Sequence, residues 1–342
     1  MRPFTYERAE SVAQVARLAL ATGQGGIDAP VQFLAGGTTL VDLMKQDVLH
    51  PRRLVDINPL AEKLGFIRVE KGGLRLGAMA KMSAVADHPT VRSDYPVIAQ
   101  SLNLAASAQL RNMATLGGNV LQRTRCAYFR DPSWRQCNKR VPGSGCAALE
   151  GVNRDHAILG IDGSCIAKYP GDFGVALAAL DAEVEVVGPE GRRRFPFLEL
   201  HRKPGGRPNV ETTLRAGELI TEFFIPAGAL SRNSLYLKVR DRTSYEFALA
   251  SAAVALELDQ GRVLAARIGI GGAAYRPWRS HDAESVLVGE PLTSATIAAA
   301  AETAVHGAIT HGDNDFKPEL VARTVARALT ELQQSARRGE GI

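Results

Sequence analysis

The chain has 342 residues, 45% of them hydrophobic and 23% charged, which excludes wholesale disorder and predicts packed cores in two or three domains. The formal net charge of +5 is small and lacks aromatic or motif context, so we expect no nucleic-acid partner. The sequence contains neither an apolar run of membrane-spanning length nor an N-terminal export signal, so we expect no membrane insertion and no export address of its own.

The first 60 residues alternate between extended and helical patterns. They predict three short strands, at 4–6, 31–35 and 54–57, with helices after Ser11 and from Leu40. Because strands separated by helices form parallel sheets, this segment is predicted to be a small parallel α/β lobe.

A turn of sequence Gly36-Gly37-Thr38-Thr39 connects the second strand to the second helix. Exposed backbone N–H groups and a helix N-terminus at such a place create an anion site, and glycine lets the main chain approach a phosphate closely. Taken alone the turn is weak evidence, because most Gly-Gly turns are only turns. It matches neither a Gly-x-Gly-x-x-Gly fingerprint nor a Walker loop.

The pattern after residue 60 predicts a hairpin with strands at 66–69 and 74–76, and then a helix over 95–106. A second Gly-Gly turn follows in Ala114-Thr115-Leu116-Gly117-Gly118-Asn119. Its flanking threonine and asparagine would present further hydrogen-bond donors to the same ligand.

Residues 120–168 have little periodicity and contain all four cysteines of the chain, Cys126, Cys137, Cys146 and Cys165. A long irregular segment is usually functional or is held by a cross-link or cofactor. The spacing Cys-x10-Cys-x8-Cys-x18-Cys lacks the close pair of a typical zinc site, whereas four thiolates are the ligand count of a 4Fe-4S cluster. From spacing alone, a cluster, zinc, disulfides and free thiols all remain open.

Basic residues are concentrated around these cysteines. They form either a solvated face or a docking surface for a partner or an anionic cofactor, and they would offset the negative charge of thiolate ligands. The set comprises Arg111, Arg123, Arg125, Arg130, Arg135, Lys139 and Arg140.

The remaining sequence predicts a second, mainly antiparallel region and then an α+β domain. A helix is expected over 171–180, with strands at 183–187, 194–197 and 219–225, and a domain boundary near 227–233. Beyond it, strands are predicted at 234–239, 252–258 and 263–270, and amphipathic helices at 295–308 and 318–333.

Two segments carry a family resemblance. Residues 34–40, Leu-Ala-Gly-Gly-Thr-Thr-Leu, and 114–119, Ala-Thr-Leu-Gly-Gly-Asn, resemble the two flavin loops of the FAD-binding medium subunit of the molybdenum hydroxylases, which include xanthine dehydrogenase and carbon monoxide dehydrogenase. The resemblance covers essentially the whole chain. The cysteine segments, among them Cys137-Asn-Lys-Arg-Val-Pro-Gly-Ser-Gly-Cys146, resemble the flavin subunit of periplasmic aldehyde oxidoreductases, which carries an additional 4Fe-4S cluster.

The resemblance implies an α+β fold with a two-part FAD-binding domain over 1–228. Its small parallel α/β lobe would cover about 1–60, and its mainly antiparallel α+β lobe about 61–228 with a cysteine-rich 4Fe-4S insertion at 120–168. A C-terminal α+β domain would follow over 229–335.

The resemblance also implies binding roles for individual residues. Backbone N–H groups of the first loop would hold the FAD pyrophosphate, Asp172 would bind the flavin's sugar-like chain, and Lys238 would lie near the isoalloxazine and stabilise reduced flavin. Without the resemblance, Asp172 could be a helix N-cap and Lys238 a surface lysine. The first-loop residues are Pro30, Val31, Gln32, Phe33, Leu34, Ala35, Gly36, Gly37, Thr38 and Thr39, joined by Thr115, Gly118 and Asn119 from the second loop.

The resemblance also bears on cysteine, tyrosine, phenylalanine and histidine side chains. The cluster ligands would be Cys126, Cys137, Cys146 and Cys165. Tyr245 and Phe247 would cover the flavin face or pack in the core, and His156 would be structural. We expect no catalytic acid–base residue.

The implied function is an FAD and 4Fe-4S electron-transfer subunit of a heterotrimeric, molybdenum-dependent aldehyde oxidoreductase. The substrate would be oxidised at the molybdenum cofactor of a large subunit, and electrons would pass through 2Fe-2S clusters of a small subunit to FAD and an external acceptor. The alternatives are the flavin subunit of a 4-hydroxybenzoyl-CoA reductase-type or xanthine dehydrogenase-type enzyme, and a metal-stapled interaction module without flavin. The resemblance favours a periplasmic location reached by co-export with a partner, with the cytoplasm as the alternative.

Overall fold

The computed structural model describes residues 1–19 and 29–338. It confirms the predicted α+β architecture, in which a small parallel sheet is followed by a five-stranded and a four-stranded antiparallel sheet. Within these two ranges, every helix is too short or too polar to cross a membrane.

The first lobe is a three-stranded parallel sheet with helices between its strands. Its elements are β1 (Thr5–Arg8), α1 (Val12–Ala19), β2 (Val31–Leu34), α2 (Leu40–Lys45) and β3 (Arg53–Asp56). The strand order is β1-β3-β2, and both pairings are parallel, as the sequence predicted. Val15 and Val55 share an apolar cluster with Met79 and Leu219 of the second lobe, so the two lobes pack directly on each other.

The second lobe combines short helices with a five-stranded antiparallel sheet of order β4-β5-β8-β6-β7. Its elements are α3 (Ala61–Leu64), β4 (Ile67–Glu70), β5 (Gly73–Gly77), α4 (Met82–Asp87), α5 (Pro89–Asp94), α6 (Pro96–Asn103), α7 (Ala108–Met113), α8 (Leu116–Val120), α9 (Ala127–Arg130), α10 (Asp172–Ala179), β6 (Glu183–Gly188), β7 (Gly191–Pro196) and β8 (Leu219–Pro226), with short 3-10 turns at Asn58–Leu60 and Phe197–Glu199. Helix α10 is buried along its whole length, and Phe173 packs edge-on against Phe223 with ring centroids 5.8 Å apart.

The C-terminal region is a four-stranded antiparallel sheet, of order β12-β11-β10-β9, covered by helices. Its elements are α11 (Ala229–Arg232), β9 (Ser234–Val239), β10 (Ala250–Asp259), β11 (Arg262–Gly271), β12 (Trp278–Arg279), α12 (His281–Leu287), α13 (Ser294–Thr303) and α14 (Lys317–Arg338). Helix α14 buries Val321, Val325, Leu329 and Leu332, whose spacing gives a single apolar face against the sheet.

The structure differs from the sequence prediction mainly in short helices. The second Gly-Gly segment is the first turn of a helix rather than a tight turn, because the Thr115 hydroxyl caps α8. Helices α4, α5, α7 and α12 were not predicted, since six or seven residues are too few to show a helical period. The final helix is longer than the predicted 318–333.

The cysteine-rich segment contains one helix among the described elements, α9, in line with its lack of periodicity. It is held by bonds to the rest of the chain. Arg130 donates to Asp42 of α2 (2.7 Å), the Ile158 amide donates to the Ala273 carbonyl (2.8 Å), and Asn153 donates to the His311 carbonyl (2.6 Å). The insertion therefore contacts both the first lobe and the C-terminal region.

Candidate functional site

The first predicted flavin loop runs from the end of β2 to the start of α2. Gly37 has a φ of 73°, a left-handed conformation that glycine adopts without strain. The carbonyls of Gly37 and Thr39 accept the first hydrogen bonds of α2, both at 3.0 Å. Helix α2 has six residues, so its dipole is weak and contributes little to the predicted anion site, which stays a prediction.

The two predicted loops touch each other at Gly36. A Cβ atom at this position would lie 2.1 Å from the carbonyl oxygen of Met113, the last residue of α7. The same carbonyl accepts a hydrogen bond from Lys81 Nζ at 2.8 Å, which fixes its position. A residue without a side chain is therefore needed where the first loop meets the start of the second.

The second loop is organised by a helix cap. Thr115 is buried, and its hydroxyl accepts a hydrogen bond from the Gly118 amide at 3.3 Å. The Asn119 side-chain nitrogen donates to the sulfur of Met82 at 3.4 Å, and its side-chain oxygen Oδ1 is buried without a hydrogen-bond partner among the described residues. Because Asn119 lines the cleft between the two loops, this oxygen is available to accept a hydrogen bond from a bound molecule.

A cleft with two arms lies between the loops, and Thr38, Thr39, Ala114 and Gly118 line both arms. The narrow arm has a volume of about 230 Å³ and a mostly apolar lining that includes Phe33, Leu43, Ile57, Met79 and Leu219. The wide arm has a volume of about 470 Å³ and reaches Asp172 and the loop around Tyr245. The combination of an apolar arm and a polar arm suits a ligand with one aromatic end and one polar end.

Most residues that the resemblance assigned to FAD line this cleft. They are Gln32, Phe33, Ala35, Gly36, Gly37, Thr38, Thr39, Thr115, Gly118, Asn119 and Asp172. The other four residues do not line either arm of the cleft. Val31 and Leu34 pack in apolar clusters, the Pro30 carbonyl accepts from the amides of Arg52 and Arg53, and Lys238 contacts Asp172. The FAD contacts themselves stay predictions.

Asp172 and Lys238 form a buried ion pair at the end of the wide arm. The Asp172 carboxylate accepts from Lys238 Nζ at 2.8 Å and from the Tyr236 hydroxyl at 2.7 Å. Burial and the nearby Asp172 raise the pKa of Tyr236, so its hydroxyl stays a donor. Gly171 is the helix N-cap, and Asp172 makes no capping bond, so the helix-cap alternative for Asp172 is wrong. The Lys238 side chain is 1% exposed, so the surface-lysine alternative is also wrong.

Aromatic and basic side chains form the far wall of the wide arm. Tyr245 and Phe247 both line it, and Arg125 lies over the Phe247 ring, 4.9 Å from its centroid. Tyr245 has a φ of 53° and an exposed side chain, so it is placed at the mouth of the arm rather than in the core. The core alternative is thereby excluded for Tyr245.

The four cysteines come together in space as free thiols. Cys137 and Cys146 face each other in a short antiparallel bridge. Cys126 packs against three apolar clusters, and each of these clusters also involves one of the other three cysteines. Burial raises the pKa of Cys126 to about 12, and a hydrogen bond between Cys146 and Cys165 lowers the pKa of the first thiol and raises that of the second.

His156 is the nearest titratable neighbour of this group. Its Nε2 lies 3.2 Å from the Cys126 sulfur, and burial lowers its pKa to about 4, so the ring is neutral at ordinary pH. The ring also lies near Tyr128, with centroids 6.1 Å apart. This contact agrees with the structural role predicted for His156.

The predicted cluster can be compared with the donor groups that the structure places together. Across residues 1–19 and 29–338, no three His, Cys, Asp or Glu side chains are placed to hold one metal ion. In a 4Fe-4S cluster each thiolate binds a different iron, so the sulfurs surround a larger volume than the ligands of a single zinc ion. Four neighbouring thiols are the ligand count of a 4Fe-4S cluster, and the assignment of such a cluster stays a prediction.

The basic residues near the cysteines do not form a simple solvated face. Arg125 and Arg130 share the carboxylate of Asp42, at 3.3 and 2.7 Å. Arg123 and Lys139 are largely buried and share Glu211. In the sequence these residues are recognisable only as a concentration of positive charge. Glu211 lies in an irregular stretch without a motif, so the sequence does not indicate its role.

Comparison with known proteins agrees with this geometry. Residues 2–228 match the family "FAD binding domain in molybdopterin dehydrogenase", and residues 235–332 match "CO dehydrogenase flavoprotein C-terminal domain". The chain is 43% identical over 338 residues to the aldehyde oxidoreductase FAD-binding subunit PaoB of Escherichia coli K12, covering 98% of this chain and 100% of that one. It is 28% identical over 334 residues to the carbon monoxide dehydrogenase medium chain of Hydrogenophaga pseudoflava, covering 95% and 96%.

Solved structures share the whole fold. A carbon monoxide dehydrogenase structure from Hydrogenophaga pseudoflava superposes with a TM-score of 0.75 at 25% identity, covering 97% of this chain and 98% of that chain. Quinoline 2-oxidoreductase from Pseudomonas putida 86 gives a TM-score of 0.73 at 25% identity, with 98% of each chain covered. The chain therefore belongs to the family of FAD-binding medium subunits of the molybdenum hydroxylases, and it is an oxidoreductase subunit.

Proposed function

We propose that this chain is the FAD and 4Fe-4S electron-transfer subunit of a heterotrimeric, molybdenum-dependent aldehyde oxidoreductase. The observation that carries the proposal is the combination of the two-loop cleft with four neighbouring cysteines in the segment that follows the second loop. Full-length similarity to an aldehyde oxidoreductase subunit supports the choice of reaction. We also propose the domain division at 228, with lobes at about 1–60 and 61–228.

The residues of the cleft suit FAD. We propose that loop amides from Ala35 to Thr39 hold the pyrophosphate, that Thr115, Gly118 and Asn119 complete this grip, and that the apolar narrow arm takes the adenosine end. FAD, when bound, supplies the chemistry that receives electrons singly or in pairs. The chain's own part is to bind and orient that group and to exclude water from it.

The wide arm has the polar groups needed at the flavin end. Asp172 is held rigid by Lys238 and Tyr236, so its carboxylate is a fixed acceptor for hydroxyl groups of the sugar-like chain. Lys238 places a positive charge behind Asp172, which would favour a negatively charged reduced ring. Tyr245 at the mouth could shield the ring face from solvent.

The cysteine group is proposed as the 4Fe-4S site, with Cys126, Cys137, Cys146 and Cys165 as ligands. Buried lysines near it, Lys139 beside Cys165 and Lys168 beside His156, would offset the charge of four thiolates. The irregular segment 120–168 has little periodic structure of its own, so a cluster would also act as its cross-link.

The proposed partners are a large subunit with the molybdenum cofactor, where the aldehyde is oxidised, and a small subunit with 2Fe-2S clusters. Electrons would enter this subunit from the small subunit and leave to an external acceptor. The resemblance to the aldehyde oxidoreductase subunit supports a proposed periplasmic location reached by co-export with a partner, with the cytoplasm as the alternative.

A second candidate is the flavin subunit of a xanthine dehydrogenase-type or 4-hydroxybenzoyl-CoA reductase-type enzyme. It is favoured only by the breadth of the family, whose similar members include a xanthine dehydrogenase FAD-binding subunit at 23% identity. The alternative of a metal-stapled module without flavin conflicts with the FAD-binding domain match over residues 2–228.

The decisive experiment is anaerobic co-purification of the tagged chain with the two proposed partner subunits. The expected result is a three-subunit complex with one FAD on this chain, iron and sulfide in excess of the small subunit's clusters, and reduction of the flavin by aldehydes. A colourless chain containing zinc, or a complex reduced by purines and not by aldehydes, would overturn the proposal.

A further inference from the structure

Arg123 is a buried cation in the wall of the narrow arm. It follows α8, its side chain is 12% exposed, and it is the one charged side chain among the described residues that line this arm. Its guanidinium lies over the ring of Phe129, 5.0 Å from the centroid. The arm is otherwise apolar or lined by the two glycine-containing loops, so Arg123 determines its charge.

The guanidinium is only partly satisfied. Its Nε donates to the Glu211 carboxylate at 2.7 Å. Its Nη2 is buried and has no hydrogen-bond partner in the described part of the chain. A buried guanidinium with free N–H groups beside a cavity indicates an acceptor that enters with the ligand.

Glu211, which lies outside the cysteine insertion, holds the Arg123 guanidinium in this position. The second oxygen of the same carboxylate accepts from Lys139 Nζ at 2.6 Å, and Lys139 also donates to the Tyr275 hydroxyl at 2.8 Å. Burial acts to raise the pKa of Glu211, but Arg123 and Lys139 outweigh it and lower this pKa to about 2. Two cations share one carboxylate, so a net positive charge remains beside the arm.

We propose that Arg123 binds the diphosphate of FAD, and that Glu211 and Lys139 are positioning residues that fix its guanidinium. The inference rests on the proposed function. It adds a side-chain cation to the backbone amides of the first loop as a binding group for the diphosphate. A planar guanidinium whose Nη2 has no other acceptor can donate to the oxygens of a phosphate group, and such charge-assisted bonds are stronger than neutral ones. Lys139 lies between Cys137 and Cys146 in the sequence. Its hydrogen bond to Glu211 therefore connects the flavin cleft to the cysteine segment.

The test uses the full chain, freed of flavin, and measures binding of FAD, ADP and adenosine. Arg123→Gln is expected to weaken FAD and ADP at least tenfold and adenosine less than threefold, because only the first two carry a diphosphate. Glu211→Gln, which keeps the shape and removes the charge, is expected to lower the ADP-to-adenosine preference severalfold. Arg123→Lys, which keeps the charge, is expected to recover part of the ADP affinity.

Arg267→Gln is the matched control. Arg267 Nε donates to Asp181 at 2.8 Å, which resembles the Arg123–Glu211 bond, but Arg267 lies on β11 and lines neither arm. It should leave all three affinities unchanged. If the wild-type chain binds FAD but Arg123→Gln lowers the affinities for ADP and adenosine equally, the Arg123 assignment alone would be overturned. A wild-type chain that binds no FAD would overturn the proposed function and the assignment together.

Discussion

Gly36 lies against the backbone carbonyl of Met113, so closely that a Cβ atom on Gly36 would sit 2.1 Å from that oxygen. The two residues are far apart in sequence. Gly36 belongs to the first loop of the cleft, and Met113 directly precedes the second loop. The contact therefore fixes the distance between the loops. It gives a physical reason for the second glycine-rich segment to follow α7 directly.

Gly36→Ala is expected to push the loops apart, because the neighbouring atom is backbone and cannot rotate away. We expect FAD content to fall at least tenfold and the free energy of unfolding to fall by about 1–3 kcal/mol. The measurements are flavin released per chain and urea unfolding. Gly72→Ala is the control, since the added Cβ meets no atom within 4 Å. Full flavin loading in Gly36→Ala would show that the loops tolerate separation.

Asp172 can be separated into a structural and a binding role. Asp172→Leu leaves Lys238 buried without its partner, which should cost about 3–5 kcal/mol of stability. The double variant Asp172→Leu/Lys238→Met removes both charges and should recover most of that loss. Because the acceptor for FAD hydroxyls stays absent, we expect flavin occupancy to stay low in both variants. Restored occupancy in the double variant would limit Asp172 to a role in folding.

The sequence predicts those parts of this protein that are local in the chain. Gly36-Gly37-Thr38-Thr39 could be recognised because its residues are adjacent and its chemistry lies in the backbone. The Arg123–Glu211 bond spans 88 positions and the Lys238–Asp172 bond 66, and nothing in either sequence neighbourhood specifies the partner. These pairings follow from how the lobes pack, so only the folded chain reveals them.

The short helices illustrate the same limit. Helix α8 begins at a Thr115 cap that looks like a turn motif in the sequence, since five residues show no helical period. The cysteines were recognised as a group by their clustering in sequence. Their arrangement around Cys126, however, depends on contacts of segment 120–168 with the first lobe and the C-terminal region.

Cys137→Ser tests the cluster assignment. A serine hydroxyl is a poor iron ligand, so we expect loss of cluster iron and of protection against proteolysis in residues 126–165, while FAD content falls less. Iron and sulfide analysis after anaerobic purification, together with limited proteolysis, would measure these effects. Val152→Ser introduces the same residue at an exposed position of the same segment and should change neither quantity. Retention of all cluster iron in Cys137→Ser would count against a cysteine-ligated cluster.

Lys317 gives the stability of this chain a specific pH dependence. Its side chain is buried, Nζ donates to the Gly272 carbonyl at 2.8 Å, and burial, with help from Lys168, lowers its pKa from 10.5 to about 6. Between these two values the unfolded chain holds a proton that the folded chain lacks. The free energy of unfolding should therefore rise with pH across this window and fall as pH drops towards 6, with a limiting contribution of about 1.4 kcal/mol per pH unit.

Lys317→Met is expected to remove most of that slope and to stabilise the chain at pH 7, since no charge has to be taken up on unfolding. The measurement is urea unfolding of wild type and variant at pH 6.5, 7.5 and 8.5. Lys203→Met, at an exposed position, should keep the wild-type slope. An unchanged slope in Lys317→Met would mean that Lys317 stays protonated when folded. In that case its charge must be balanced by Asp155, the nearest carboxylate acting on it.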